Sequence, residues 1–239
     1  MSRALAILMP AYNEAAWVER AVERIAGASP PVDPSSGLPV TRTLYACDDG
    51  STDATPAILE RLCRRDDPRL AVRLIRHTAN RGKGAAVASA LRAAMDDGAD
   101  VLLIHDADLE YDPADHPRLL GPILDGRADA VIGSRFLGES HRVLYFWHAV
   151  ANRVVTLLSN ALTNLNLSDI ECCLKAFTAE VAGQLDLRER SFGVEPELIA
   201  KLARARVSRP GHAAGPPDGL TPPGTRRPPR PGRGSTRSA

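Results

Sequence analysis

The sequence predicts an α/β protein, an αβα sandwich with a mostly parallel sheet. Short apolar runs of the kind that form buried strands alternate with longer stretches whose apolar residues have helical spacing. Most of these apolar runs end in a polar cluster, and ligands of parallel sheets bind beyond the carboxyl ends of the strands. The 239 residues suffice for one such domain.

Strands are predicted at residues 5–9, 41–47, 70–76, 101–104 and 128–132. Helices are predicted at residues 14–26, 53–63, 150–165 and 196–205, with an Ala-rich one between a loop at 80–84 and about residue 96. Pro10 should stop the first strand, and Thr52 and Asp53 should cap the second helix. Residues 30–39 should form a loop rich in Pro, Ser and Gly.

The composition is that of an ordinary globular protein, with 44% hydrophobic and 25% charged residues and a net charge of +1. This charge gives no electrostatic basis for binding nucleic acid. The first apolar run, residues 4–9, is too short for a signal peptide, and no run approaches the roughly 18 apolar residues of a membrane span. Since the four cysteines lack metal-binding spacing, we expect reduced thiols in a cytoplasmic protein.

The composition changes after Val207. The remaining segment is rich in Pro, Gly and Arg, contains one acidic residue (Asp218) and has almost no large apolar side chain. A segment of this kind cannot build a core. We therefore expect two regions, a folded domain over residues 1–207 and a disordered basic tail over residues 208–239.

Two carboxylates separated by one small residue, Asp106-Ala107-Asp108, follow the fourth strand. Oxygen ligands of this kind suit Mg²⁺ or Mn²⁺, which can bridge a diphosphate and stabilise the charge that grows as it leaves. Glu110 is a third ligand or a supporting group. The alternative is that one aspartate only caps the turn before Pro113.

Carboxylates also follow the first two strands. Asp48 and Asp49 can accept hydrogen bonds from a nucleotide base or ribose, or they can cap the next helix. Tyr12 and Glu14, after Pro10, can line a base, or they can belong to an ordinary strand-to-helix turn.

The loop at residues 80–84 carries two cations, Arg81 and Lys83, between glycines. It lacks the spacing of a P-loop, and the chain has no GxGxxG, which argues against a dinucleotide oxidoreductase. The two cations suit contact with a phosphate, although exposed charges in a solvated loop are the alternative.

The motifs PAYNE (10–14), DDGSTD (48–53), NRGKG (80–84), HDADLEYDP (105–113) and GSR (133–135) occur in this order. As an ordered set they resemble family 2 glycosyltransferases of the GT-A fold. Residues 141–177 and the motif FGVEPE (192–197) resemble the polyprenyl-phosphate mannose and glucose synthases, the dolichyl-phosphate mannose synthase branch. The resemblance covers residues 4–207.

The resemblance implies an inverting transfer of a hexose from GDP-mannose or UDP-glucose to a polyprenyl phosphate, with Mg²⁺ or Mn²⁺. It implies catalytic roles for Asp106, Asp108 and Arg135, and metal binding by Asp106 and Asp108, with Glu110 where relatives often carry Gln. The implied donor-binding residues are Pro10, Tyr12, Glu14, Asp48, Asp49, Lys83, Asp106, Ala107 and Asp108.

Arg135 would hold the acceptor phosphate, with Arg153 as a second candidate. A phosphate acceptor is already ionised at neutral pH and needs little help from a general base. A hydroxyl acceptor would need one, and the sequence does not choose among Asp169, Glu171 and Glu195.

A helix predicted over residues 144–167 opens with an aromatic cluster at residues 145–147. Tyr and Trp favour the bilayer interface, so this helix is a candidate for peripheral contact at the inner face of the membrane. Ordinary core packing is the alternative.

The resemblance breaks after Val207. Relatives of the branch continue with a strand like E-V-P-I-S-Y and with an Arg and a Lys near the donor phosphates, and residues 208–239 offer neither. Our hypothesis is a frameshift or a degraded gene, which predicts weak or no activity. The alternatives are a transferase with a soluble hydroxyl acceptor, a non-catalytic nucleotide-sugar binder and a Pro-rich interaction protein.

Overall fold

A computed structural model describes residues 2–135 and 146–207 of the chain. The strands are β1 Ala4–Ala11, β2 Val32–Asp33, β3 Leu38–Pro39, β4 Thr41–Asp48, β5 Ala71–Arg76, β6 Val101–Ile104, β7 Ala130–Ile132 and β8 Lys175–Thr178. The helices are α1 Val18–Gly27, α2 Thr55–Cys63, α3 Lys83–Asp96, α4 His116–Leu124, α5 Phe146–Thr163, α6 Ala179–Ala182 and α7 Val194–Val207, with a 3₁₀ turn at Pro113–Asp115 before α4. The predicted tail, residues 208–239, lies outside the described residues and stays a prediction.

Six strands form the main sheet in the order β5-β4-β1-β6-β8-β7. The pairs β4–β5, β1–β4 and β1–β6 are parallel, and β8 runs antiparallel between β6 and β7. The predicted mostly parallel sheet is therefore confirmed. β1 lies at its centre, which places the segment after β1 between those that follow β4 and β6.

Helices cover both faces of the sheet, and alternate residues of β1 belong to the two resulting cores. Leu5, Ile7 and Met9 pack with α1, α2 and α4 on one face. Ala6 and Leu8 pack with α3, α6 and α7 on the other. A strand buried on both faces must be apolar throughout, which is why β1 and β6 read as continuous apolar runs.

Some elements differ from the sequence prediction. β1 continues through Pro10 to Ala11, because Pro10 lies beyond the end of β6, where its missing N–H breaks no hydrogen bond to that strand. Residues 30–39, predicted as a loop, contain the short antiparallel hairpin β2–β3. The second helix begins at Thr55, and the Asp53 side chain accepts a hydrogen bond from the amide of Thr55 (2.9 Å).

The helix α5 has an unusual distribution of side chains. Asn152 and Thr156 face the protein and are buried, whereas Val154, Leu158 and Leu162 are exposed. Among the described helices, none combines the length and apolar character needed to cross a bilayer. The predicted aromatic cluster falls partly outside the described residues, and within them Trp147 is 75% exposed.

Candidate active site

The candidate site lies at the carboxyl edge of the sheet, where β1, β4 and β6 end side by side. The amide of Asp49 donates to the carbonyl of Ala11 (2.8 Å), and the amide of His105 donates to the carbonyl of Leu8 (3.0 Å). These bonds keep the strands in register as the polar segments begin. They bring residues 10–14, 48–53 and 105–110 to one edge, as the rule for parallel sheets requires.

The two aspartates after β6 have different surroundings. Ala107 is buried in the core, while Asp106 is half-buried and Asp108 is exposed. One Asp106 oxygen, Oδ2, accepts a hydrogen bond from Lys83 Nζ (2.8 Å), and Asp108 Oδ1 accepts one from the amide of Glu110 (2.9 Å). The other Asp106 oxygen, Oδ1, is buried and has no hydrogen-bond partner in the part of the chain that the structure describes.

Glu14 interacts electrostatically with these two aspartates. Burial raises the pKa of Glu14, and the charges of Asp108 and Asp106 raise it further. Three carboxylates at the ends of β1 and β6 therefore act on one another electrostatically, and their combined negative charge makes this edge attractive to a cation.

The residues present fit a hard divalent cation as a partial coordination shell. Asp106 and Asp108 offer carboxylate oxygens, and the unpaired buried Oδ1 of Asp106 is a free ligand atom of the right chemistry. Mg²⁺ and Mn²⁺ usually take only one or two carboxylates and complete their shell with water and substrate phosphates. Residues 2–135 and 146–207 contain no preassembled set of three His, Cys, Asp or Glu ligands, so the predicted third ligand Glu110 stays a prediction.

Lys83, at the first position of α3, reaches into the site between two carboxylates. Its Nζ lies 2.8 Å from Asp106 Oδ2 and 3.0 Å from Glu195 Oε1. Burial acts to lower the pKa of Lys83, but the surrounding negative groups, including Asp106 and Glu195, outweigh it and raise the pKa. Lys83 is therefore a fixed positive charge beside the aspartate pair.

Sequence reasoning missed Lys175, the first residue of β8. It is fully buried, and its Nζ donates to Glu195 Oε2 and to the carbonyl of Cys172. A lysine is rarely buried unless it is paired, and Glu195 pairs it. A charged residue within the otherwise apolar segment 174–177 was the available signal.

Asp49 holds the loop that carries Lys83. Its two oxygens accept hydrogen bonds from the amides of Arg81 (3.0 Å) and Gly82 (2.7 Å), and Nδ1 of His77 lies 2.6 Å from Oδ1. Asp49 is buried, so the structure shows it shaping the loop. Its predicted contact with the donor stays a prediction.

The glycines of this loop allow a close approach of another segment. Gly82 has a φ of 95°, which a residue with a side chain rarely adopts. A Cβ at Gly82 would overlap the carbonyl of Arg190, and one at Gly84 would overlap the carbonyl of Glu189. The segment before α7 thus packs directly on the loop, which explains the spacing of NRGKG.

The predicted donor-binding residues after β1 and β4 lie near one another. Asp48 is buried, and its Oδ1 accepts a hydrogen bond from the amide of Ser51 (3.1 Å). Asn13 has a positive φ of 57°, and its backbone amide donates to Ser51 Oγ (2.9 Å). This hydrogen bond joins the segment after β1 to the segment after β4. Tyr12 is 43% exposed beside this junction, and Pro10 is partly buried in β1.

Arg135, the predicted acceptor-phosphate residue, is bound to Asp169. Its Nε and Nη2 donate to the two carboxylate oxygens (2.8 and 3.0 Å), and Asn152 of α5 donates to the same carboxylate (3.0 Å). Burial acts to raise the pKa of Asp169, but these hydrogen bonds lower it overall. The guanidinium is therefore charge-compensated, and Arg153, the neighbour of Asn152, is exposed.

The three candidate bases differ in accessibility. Asp169 is buried and bound to Arg135, and Glu195 lies between Lys175 and Lys83. Glu171 has a side chain that is 49% exposed, 4.0 Å from Arg135. The structure thus makes Asp169 and Glu195 poor bases and leaves Glu171 as the accessible carboxylate.

A buried histidine pair supports the segment after β6 and was not predicted. His116 Nε2 lies 3.0 Å from His105 Nδ1, and both rings are 2% exposed. Burial lowers the pKa of His105 to about 4 and that of His116 to about 3. Both imidazoles are neutral at physiological pH, and His105 immediately precedes Asp106.

Solved structures support the fold. Glucosyl-3-phosphoglycerate synthase from Mycobacterium tuberculosis, in complex with Mn²⁺, UDP and glucosyl-3-phosphoglycerate, has a TM-score of 0.58 to this chain at 21% identity. The match covers 86% of this chain and 67% of that one. The predicted GT-A fold is therefore confirmed.

Sequence relatives include enzymes named for polyprenyl-linked sugars. Polyprenol monophosphomannose synthase of Mycolicibacterium smegmatis is 30% identical over 76% of this chain and 64% of its own length. Undecaprenyl-phosphate mannosyltransferase of Micrococcus luteus is 27% identical over 82% of this chain and 76% of its own. The aligned part of this chain spans only 31%, 64% and 54% of the full lengths of three of its sequence relatives.

The profile of one family, described as glycosyl transferase family 2, matches residues 6–185. The matched range includes the polar segments after β1, β4 and β6, the loop of Lys83, and Arg135 with Asp169. It covers most of the 239 residues. On this evidence the chain belongs to glycosyl transferase family 2.

Proposed function

We propose that this family 2 glycosyltransferase is a metal-dependent inverting enzyme that moves a hexose from a nucleotide diphosphate sugar, GDP-mannose or UDP-glucose, to a polyprenyl phosphate. The observation that carries the proposal is the meeting of Asp106, Asp108 and Glu14 with the cation Lys83 at the carboxyl edge of the sheet. A diphosphate needs positive charge beside it, and the cluster supplies one cation and the oxygen ligands for another.

The donor would lie across the ends of β1, β4 and β6. Asp106 and Asp108 would hold Mg²⁺ or Mn²⁺, which when bound stabilises negative charge on the leaving diphosphate. Tyr12 offers an aromatic face to the base, and the buried carboxylate of Asp48 can accept from the base or ribose. Lys83 adds a fixed positive charge next to the diphosphate.

The surroundings of the candidate bases favour a phosphate acceptor over a hydroxyl. Two of the three candidates, Asp169 and Glu195, are ion-paired in the site, and only Glu171 stays accessible as a base for a hydroxyl acceptor. A phosphate monoester oxygen is already ionised at neutral pH and attacks without a base. A phosphate acceptor also agrees with the names of the relatives from Mycolicibacterium smegmatis and Micrococcus luteus.

The exposed apolar face of α5 supports a lipid acceptor. Leucine and valine side chains point away from the protein along this helix, while Asn152 bonds inward to Asp169, the partner of Arg135. An interfacial helix presents such a face to the acyl region of a membrane. We propose that α5 rests on the membrane surface and places the acceptor phosphate near Arg135, with Arg153 as a second contact.

We propose that residues 1–207 form a glycosyltransferase domain that is incomplete at its C-terminal end. The elements that build the site, from β1 to the start of α7, all lie within this range.

Transfer of radiolabelled sugar from each donor to a solubilised polyprenyl phosphate, followed by solvent extraction, tests the proposal. Because the segment after Val207 departs from the pattern of the relatives, we expect weak but Mn²⁺-dependent label in the lipid phase with one donor. We expect Asp108→Asn to lower that rate by about 10²-fold or more. Asp66→Asn, which changes an exposed acid far from the strand ends, should leave the rate unchanged. Donor binding with all label left in the aqueous phase would contradict transfer to lipid and would indicate a nucleotide-sugar binder.

A further inference from the structure

Lys83 neutralises part of the negative charge that a metal ion would need at this site. Its ammonium group touches Asp106, which is also one of the two carboxylates that fit a metal. The side chains of Lys83 and Asp106 are 18% and 19% exposed, so water screens their attraction only partly. A divalent cation and a lysine ammonium compete for the same carboxylate charge when both stand this close.

Lys83 also has a second anion to which it can remain bound. Glu195 Oε1 lies 3.0 Å from its Nζ, and Lys175 holds the other Glu195 oxygen. Lys83 can therefore leave Asp106 without becoming an uncompensated ammonium group. Glu195 in turn stays fixed, because Lys175 is fully buried and cannot move into solvent.

The backbone around Lys83 is held while its side chain remains long and flexible. Asp49 binds the amides of Arg81 and Gly82, and the carbonyl of Arg190 accepts a hydrogen bond from the amide of Ala85 (3.3 Å). An exchange of partners by Lys83 thus needs only side-chain rotation. The buried Asp106 Oδ1, unpaired within the described ranges, is the atom left for an incoming cation.

We propose that Lys83 is the counter-ion of Asp106 before metal binds, and that it exchanges this contact for a donor phosphate oxygen when the divalent cation takes Asp106. This inference rests on the proposed function. It makes Lys83 a positioning residue with two opposite effects: it weakens metal binding to the empty site and strengthens binding of the diphosphate once the metal is present.

Titration of the full chain with Mn²⁺ tests the first effect. Binding is measured as the loss of the electron paramagnetic resonance signal of free Mn²⁺. Without nucleotide, we expect Lys83→Met to bind Mn²⁺ about tenfold more tightly than the wild type, since Asp106 loses its competitor. With saturating Mn²⁺, calorimetry should show GDP or UDP binding about tenfold more weakly to Lys83→Met. The opposite signs separate an exchange from general damage to the site.

Lys201→Met is the matched control, because Lys201 has a side chain 20% exposed and pairs with Glu197 (2.7 Å) on α7, outside the strand-end cluster. Both of its affinities should equal those of the wild type. Lys83→Gln, which keeps a polar side chain, should repeat the sign of both changes if Lys83→Met does not fold. Unchanged or weaker Mn²⁺ binding by a folded Lys83 variant overturns the exchange, whereas a wild type that binds neither Mn²⁺ nor nucleotide overturns the proposed function with it.

Discussion

The chemistry of individual carboxylates in this protein is decided by their neighbours. Asp169 and Glu195 are acids by type, but each is fixed by cations, Arg135 for the first and Lys175 with Lys83 for the second. These cations occupy the carboxylate oxygens of both residues, so neither carboxylate is presented to a substrate. Asp106 differs from these two carboxylates, because one of its buried oxygens has no hydrogen-bond partner among the described residues.

The histidine pair behind Asp106 predicts how stability depends on pH. A histidine in the unfolded chain has a pKa of about 6.5, whereas burial lowers the pKa of His105 to about 4 and that of His116 to about 3. The folded state therefore binds protons less readily than the unfolded state. The stability that the neutral pair contributes is complete above about pH 6.5 and is lost as the pH falls towards about 4 and then about 3.

Replacing His116 with Gln tests this dependence. Each histidine that must gain a proton on unfolding changes the free energy of unfolding by about 1.4 kcal/mol per pH unit, so His116→Gln should roughly halve the slope between about pH 6 and about pH 4.5. Urea unfolding at several pH values measures it. Leu120→Ala, a buried change on the same helix that keeps both histidines, should lower stability but keep the slope. An unchanged slope in His116→Gln would show that the pair does not carry the effect.

At the scale of elements, α5 differs from the other helices in which side chains it buries. Its two asparagines 152 and 160 face the protein: Asn152 bonds to Asp169, and Asn160 donates to the carbonyl of Leu167 (2.8 Å). Its leucines at 157, 158 and 162 are exposed. A surface helix of a protein that meets only water normally has the reverse pattern, so the exposed face indicates a nonpolar partner.

The double variant Leu158→Glu with Leu162→Glu tests contact with a membrane. Because each leucine buried in lipid contributes about 1.5–3 kcal/mol, we expect the variant to lose association with phospholipid vesicles by about tenfold or more in a sedimentation assay. The control is Val32→Glu with Leu38→Glu, which places the same charges on similarly exposed apolar positions of the β2–β3 hairpin. Equal sedimentation of the two double variants would exclude α5 as the membrane-contacting face.

Across the main sheet, the sequence predicted five of the six strands, including β7, and missed β8. β1, β4 and β6 are apolar runs buried on both faces, so their pattern is visible locally. β8 was missed because Lys175 and Thr178 interrupt its apolar pattern, and its antiparallel place between β6 and β7 depends on contacts distant in the chain. The hairpin β2–β3, with two residues a strand, is too short to show a period.

The same division applies to the site. The positions of Asp106, Asp108 and Glu14 after predicted strands placed them at one edge, because the ends of parallel strands share that edge. Lys83 was assigned to the donor site only by the family resemblance. The pairing of Arg135 with Asp169 was not visible, since residues 34 positions apart meet only through the fold. The ion pair of Lys175 was not predicted for the same reason, because its partner Glu195 lies 20 positions away in the sequence.

Titration of GDP-mannose and UDP-glucose into the purified chain, with Mn²⁺ and again with a chelator, tests whether this edge of the sheet binds a nucleotide sugar through a metal ion. We predict calorimetric binding of one donor that requires the metal and is lost in Asp108→Ala, because the aspartates hold the cation that faces the diphosphate. Binding that persists in the chelator and in Asp108→Ala, or no binding of either donor, would contradict the claim that this edge of the sheet is a metal-dependent nucleotide-sugar site.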